Sequence, residues 1–243
     1  MADNQNIPNQ ASGQSFHHEL EARFHHLRQE FLPKHGTKLL VGILVIAAGV
    51  VGLIQYQAKT EQATAALNQD LGKAYSHLYG NKSDSAAVVL EGMLAKSGIS
   101  GLPEAKAALL LGNIQFQKGD FDAAGKSFER SRASAGDVEL IRSGAEHGLA
   151  TVSIEKKDYT KAVQQLESFV KTYGKRSGNL EDRFTQKEQV DPIVTVPDAL
   201  WKLTLCYVEL KQTDKAKVTA DNLIKIYGES RQATSARKLL ATL

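Results

Sequence analysis

Residues 107–131, AALLLGNIQFQKGDFDAAGKSFERS, hold two helical patterns separated by a single Gly-Asp pair at 119–120. Small and apolar residues recur at three- and four-residue spacing on either side, the period of a helix with one buried face. Gly119 and Asp120 supply the turn signal between them. The pattern recurs in residues 149–169, LATVSIEKKDYTKAVQQLESF, where Tyr159 follows Phe121 by 38 residues. It recurs again in residues 200–228, LWKLTLCYVELKQTDKAKVTADNLIKIYG. Self-similarity at such a period indicates stacked units, none of which buries its apolar face alone.

These units resemble tetratricopeptide repeats, in which two antiparallel helices occupy one repeat. The resemblance makes Gly112 the small residue where paired helices touch, Phe121 the aromatic across the turn, and Ala124 and Phe128 the buried side of the second helix. Ala162 and Leu166 match in the second unit, as do Tyr207 and Ala216 in the third. Gln115 stands where an aromatic is usual, and Thr213 replaces the aromatic after the turn. Segments 62–79 and 85–96 read as a degenerate first pair. Ala233, Ala236, Leu239, Leu240 and Leu243 fall at helical spacing and read as a terminal capping helix. Residues 174–196, GKRSGNLEDRFTQKEQVDPIVTV, interrupt the array with a charged insert loop ending in a short extended segment. A loop of that length inside a compact domain is uncommon.

Outward from the repeats, Leu39 to Ile54 reads LLVGILVIAAGVVGLI, without a polar side chain, and no charge intervenes between Lys38 and Lys59. Twenty residues make about 30 Å of helix, the thickness of a bilayer core. A cleavable signal peptide is the competing reading, disfavoured by the 38-residue leader and by the lack of a small-x-small site directly after the apolar core. Arg23, Arg28, Lys34 and Lys38 precede the segment and only Lys59 follows closely, which places the amino terminus in the cytoplasm. In a bacterium residues 59–243 would then lie in the periplasm, on a single-pass inner-membrane protein. Ala48 and Gly52 form a small-xxx-small pair that lets two spans approach, an expectation of homo-oligomerisation.

Residues 1–14 are rich in Asn, Gln, Ser and Ala and read as a disordered leader. Residues 15–35 read as a cytoplasmic amphipathic helix with Phe16, Leu20, Phe24, Leu27 and Phe31 on one face, broken at Pro33 and Gly36. It suits either a membrane interface or a partner protein. The pairs His17, His18 and His25, His26 stand about two turns apart, too far for one metal ion. The fold expected is therefore all-α: a leader, a transmembrane helix over 36–58, and a tetratricopeptide-like α-solenoid over 59–243.

The 243-residue chain is 42% hydrophobic and 23% charged, with 30 basic and 27 acidic residues giving a net charge of +3. Basic and acidic residues alternate along the helices, which describes solvated surface and argues against nucleic-acid binding. Cys206 is the only cysteine, so no intramolecular disulfide or multi-cysteine metal site can form. It lies in an apolar run and is expected to be a buried, inert thiol. No phosphate-binding glycine loop, nucleophile elbow or HExxH pattern is present. His77 and His147 are the histidines of the repeat region, and neither has a nucleophile at usable spacing. The expectation is a protein that is not an enzyme and carries no cofactor or metal.

What remains is recognition. In tetratricopeptide arrays the first helix of each pair lines the concave surface. The resemblance carries that role to Lys106, Leu109, Asn113, Phe116 and Gln117 in the first clear unit. It implies His147, Thr151, Ile154 and Glu155 in the second, and Trp201, Leu205, Val208 and Glu209 in the third. Such a mixture suits an extended peptide or a partner helix. Trp201, the sole tryptophan, is the leading anchor candidate; the alternative is a core tryptophan one position out of register.

The layout over about residues 36–170, strongest at LLLGNIQFQKGDFDAAGKSFERS, resembles the ancillary SecYEG translocon subunit family of bacterial inner-membrane proteins. The leader here is longer, the insert disturbs the last repeats, and KQTDKA at 211–216 replaces a Gly-Asp turn. That resemblance implies periplasmic repeats and, as partners, the Sec translocon or periplasmic chaperones. Alternative readings are an assembly factor for another envelope or cell-division complex, and a soluble exported repeat protein after signal cleavage.

Overall fold

The computed structural model describes residues 49–51, 55, 64–96, 98–176 and 191–243. The chain divides into two units, Met1–Ala63 and Thr64–Leu243. In the first, Gly49, Val50, Val51 and Gln55 are helical. The leader, the amphipathic segment with its histidines, and most of Leu39 to Ile54 lie outside the described residues. Among the described residues no helix is long and apolar enough to cross a membrane.

The second unit is helical throughout, with no strand among its described residues. Its helices are α1 (64–79), α2 (Ser83–Leu94), α3 (Gly101–Gln117), α4 (Phe121–Ser134), α5 (Glu139–Glu155), α6 (Tyr159–Tyr173), α7 (Val196–Glu209), α8 (Thr213–Ile226) and α9 (Arg231–Leu240). Four antiparallel pairs stack in order, and α9 closes the array against α7 and α8.

One turn geometry builds all four pairs. The chain reverses through a left-handed residue at Asn81, Gly119, Lys157 and Lys211, spaced by 38, 38 and 54 residues. After each, a backbone N–H closes on a carbonyl five residues back. Lys82 bonds to His77 at 2.8 Å, Asp120 to Gln115 at 3.0 Å, Asp158 to Ser153 at 2.9 Å, and Gln212 to Tyr207 at 2.8 Å. Such a bond satisfies a carbonyl that the helix end leaves unpaired. The side chains of Asp120 and Asp158 then accept from the N–H of Ala123 and Lys161, capping α4 and α6.

The same register sets the packing. Ala86, Ala124, Ala162 and Ala216 occupy one position of the second helix, and all are fully buried. Where the first helix of a pair carries Ala74, Gly112, Ala150 or Thr204, the second carries Leu90, Phe128, Leu166 or Ala220. In the first three pairs small opposes large, and in the fourth the larger Thr204 is matched by the small Ala220, so the summed volume stays within what the close approach allows. The extreme is Phe128, held between glycines of two neighbouring helices. A Cβ on Gly112 would stand 2.7 Å from its ring, and one on Gly148 2.8 Å.

Gln115, at the position where an aromatic is usual, accepts a 2.7 Å hydrogen bond from Ser127 of α4. One repeat later the partners are exchanged: Ser153 of α5 donates to Gln165 of α6 at 2.8 Å. In the fourth pair Tyr207 fills the position and its hydroxyl reaches Glu167 of α6. The departure from the aromatic pattern is thus a half-buried polar pair in which the serine hydroxyl and the glutamine oxygen satisfy each other.

The degenerate first pair is in full register, with Ala74, Ala86 and Leu90 buried like their later counterparts. Ala233 and Ala236 of α9 are buried, and Ser230 caps that helix through Ala233. The end of the insert differs from expectation. Asp191 to Thr195 form a bend and a turn rather than an extended segment, and Val196 already belongs to α7. Ile193 and Val196 are buried in the core that joins α5 to α9, which holds this stretch against the domain. Pro197, in the first turn of α7, lacks only an N–H that the helix start would leave unpaired.

Candidate functional site

The residues expected to line the concave surface sit on α3, α5 and α7, the first helices of successive pairs. Asn113, Gln117, Glu155, Leu205 and Glu209 are exposed, and the other eight are half-buried. Several also hold the fold. Leu109 and Phe116 pack on the core around Phe128, and the Phe116 and Phe121 rings meet at 5.3 Å across the turn. Ile154, Trp201 and Val208 pack on the α5–α9 core. Trp201 therefore joins both readings: part of its surface is core and part faces solvent.

Sequence reasoning missed the polar centre of this surface. Asp198 and Lys202, one turn apart on α7, meet His147 of α5. Asp198 Oδ2 accepts from His147 Nε2 at 2.9 Å and from Lys202 Nζ at 2.6 Å, and the two donors lie 3.3 Å apart. The hydrogen bond from His147, with that from Lys202, holds the Asp198 carboxyl well below the usual carboxylate range, against the opposing effect of burial. The His147 ring packs on Phe169 at 5.8 Å. The i, i+4 spacing of Asp198 and Lys202 was a readable signal, but the histidine completing the group lies 51 residues away.

A recess of about 720 Å³ lies on the second-helix side, between α4 and α6. Leu149 and Val152 of α5 form its floor, and Lys156 pairs with Asp122 at its mouth. Among the described residues no group of three or more His, Cys, Asp or Glu could hold a metal ion. Cys206 is buried, and that burial pushes its thiol up to about 11.

A tetratricopeptide repeat-like domain model matches residues 29–177, and a tetratricopeptide repeat model matches residues 198–230. The chain belongs to the tetratricopeptide repeat-like domain family. No curated protein matches it. Among solved structures it is similar to a tetratricopeptide repeat protein from Parabacteroides merdae ATCC 43184, at 16% identity and a TM-score of 0.55 over 70% of this chain and 57% of that one. It is also similar to MamA from Desulfovibrio magneticus RS-1, at 12% identity and 0.52 over 72% and 92% of the two chains. A further MamA crystal structure matches at 15% identity and 0.50, over 67% and 74%. At such identities the likeness is one of fold. Tetratricopeptide-like repeats are in general scaffolds for protein–protein interaction, and the mixed surface of α3, α5 and α7 has the composition for that role.

Proposed function

We propose that the protein is a membrane-tethered scaffold that holds a partner peptide or helix on the first-helix surface of its repeats, in the bacterial periplasm, beside secretion or envelope-folding factors. The observation that carries the reading is the row of half-exposed apolar and polar side chains on α3, α5 and α7, centred on Trp201, Leu205 and the His147–Asp198–Lys202 group. A fixed polar group amid apolar surface orients a partner, while the apolar contacts supply affinity. Support for the tether comes from Leu39 to Ile54. Its described valines, Val50 and Val51, are helical and 48% and 53% exposed, and the domain match begins ahead of it at residue 29. The basic flank of that segment supports a position of the repeats across the membrane from the amino terminus.

Photocrosslinkers placed at Asn113 and Leu205 of the full chain in cells test the surface, with Val218 on α8 as the control. Specific products at the first two positions and none at Val218 are expected. Equal or greater yield at Val218 would move the binding surface to the second helices and reject this one. Carbonate extraction tests the tether: a full-length chain released into the soluble fraction would reject it.

A further inference from the structure

The repeats leave apolar side chains uncovered at one end. Leu102 opens α3, Leu140 opens α5 and Val194 precedes α7, at positions 38 and 54 residues apart, and they are 36%, 66% and 87% exposed. Val138 adds a fourth, at 38%. In antiparallel pairs stacked in one direction, the starts of the first helices share one edge of the array. The opposite edge, made by the turns at Asn81, Gly119, Lys157 and Lys211, carries Tyr79 as its large exposed apolar residue among the described residues. The asymmetry is therefore between edges. Three of the four residues recur with the repeat, as a surface used along its whole length would require.

Resting on the tether reading, we propose that this edge lies on the lipid surface, with Leu102, Val138, Leu140 and Val194 inserted at the interface. The position where the repeat unit begins favours a bilayer as the occupant. Thr64, the first residue of the unit, is equivalent to Leu102 by the 38-residue register and lies at the same edge. Only residues 55–63 separate it from the apolar segment. That connection reaches at most about 35 Å, and about 15 Å if helical. The turn edge stands about 25 Å further away, the length of a 17-residue helix such as α3, so a helical connection could not bring it to the bilayer and only a mostly extended one would. Asp137 and Glu139 flank Val138 and Leu140, so attraction to anionic lipid is not the driving force. Burial of aliphatic side chains at the headgroup boundary is. The short tether adds effective concentration, so a contact too weak to hold a free domain becomes occupied.

The test uses the full-length chain carrying Cys206→Ala, reconstituted in phosphatidylcholine vesicles. Single cysteines at Leu140, Val194, Tyr79, Gln212 and Ala47 are labelled with a small fluorophore, and quenching is read with lipids bearing nitroxide on the acyl chain. Labels at 140 and 194 are expected to lose most of their emission, and labels at 79 and 212 to keep theirs. Leu140→Asp combined with Leu102→Asp should restore emission at 194, with helicity by circular dichroism unchanged. If 47 is quenched while 140 and 194 match 79 and 212, the edge proposal is overturned and the tether stands. If 47 itself is unquenched, the tether reading fails and the edge proposal with it.

Discussion

Phe128 shows how one side chain sets the spacing of three helices. It rises from α4 between Gly112 of α3 and Gly148 of α5, with room for neither to gain a methyl group. Gly148→Ala should lower stability in urea unfolding by about 1–3 kcal/mol, the cost of overpacking outweighing the better helix propensity of alanine. Gly125→Ala is the matched control. Its Cβ would meet Val152 at 3.7 Å, an ordinary contact, and the change should stabilise by up to about 1 kcal/mol. Combining Gly148→Ala with Phe128→Leu should cost less than the sum of the two, because both act on one cavity. A second residue-scale prediction concerns pH. Asp198 has a carboxyl pKa depressed in the folded state, chiefly by His147 and also by Lys202. Its contribution is present above the unfolded value, about 3.9, and is lost as pH falls through the lower folded value. Asp198→Asn should cost about 1–2 kcal/mol at neutral pH, and that difference should shrink steadily below about pH 4. Parallel unfolding curves of the two proteins across this range measure it.

At the scale of the helix pair, the turn is the specification. The left-handed residue is glycine only in the pair read first from the sequence; Lys157 and Lys211 adopt φ of 59° and 58° in the same place. A lysine there costs about 1 kcal/mol relative to glycine, partly offset by its smaller entropy in the unfolded chain. Lys157→Gly and Lys211→Gly should each raise stability by about 0.5–1 kcal/mol. Gly119→Ala, at φ of 80°, should lower it by a similar amount. Chemical denaturation of the three variants checks the sign reversal. The same turns explain what was legible. The repeat was readable wherever a strong turn signal coincided with small residues, as at Gly119 with Gly112 and Ala124. The first pair looked degenerate because its turn is Gly80-Asn81-Lys82 and Ser83 stands where Phe121 does, although Ala74, Ala86 and Leu90 keep the register. Of the polar group at Asp198 only the i, i+4 pair with Lys202 was readable, since periodicity encodes which face is buried and not that His147 of another repeat completes the group.

At the scale of the whole array, the insert between α6 and α7 is the point where the repeat rule is broken and a side chain replaces it. The reversals at Lys157 and Lys211 are 54 residues apart instead of 38, and both ends of the extra segment are tied to Asp191. Its Oδ1 accepts from the backbone N–H of Lys175 at 2.6 Å and of Arg176 at 2.8 Å, and its Oδ2 accepts from the hydroxyl of Tyr227 at the end of α8. Arg176 lies over the Tyr227 ring at 5.5 Å and pairs with Glu229. One carboxylate thus joins the end of the third pair to the start and finish of the fourth. In a stacked array stability is a sum of repeat terms and neighbour interfaces, so a lost interface uncouples what lies beyond it. Asp191→Ala removes all three of these charge-assisted bonds, worth up to about 1.5–3 kcal/mol each. Hydrogen exchange of this variant should show protection falling in α7, α8 and α9, and at the end of α6, while α1 to α5 exchange as in the parent. Asp191→Asn keeps one acceptor oxygen and should fall between the two. Uniform loss of protection along the whole array would instead mean that the repeats unfold as one cooperative block, with the insert a loop like any other.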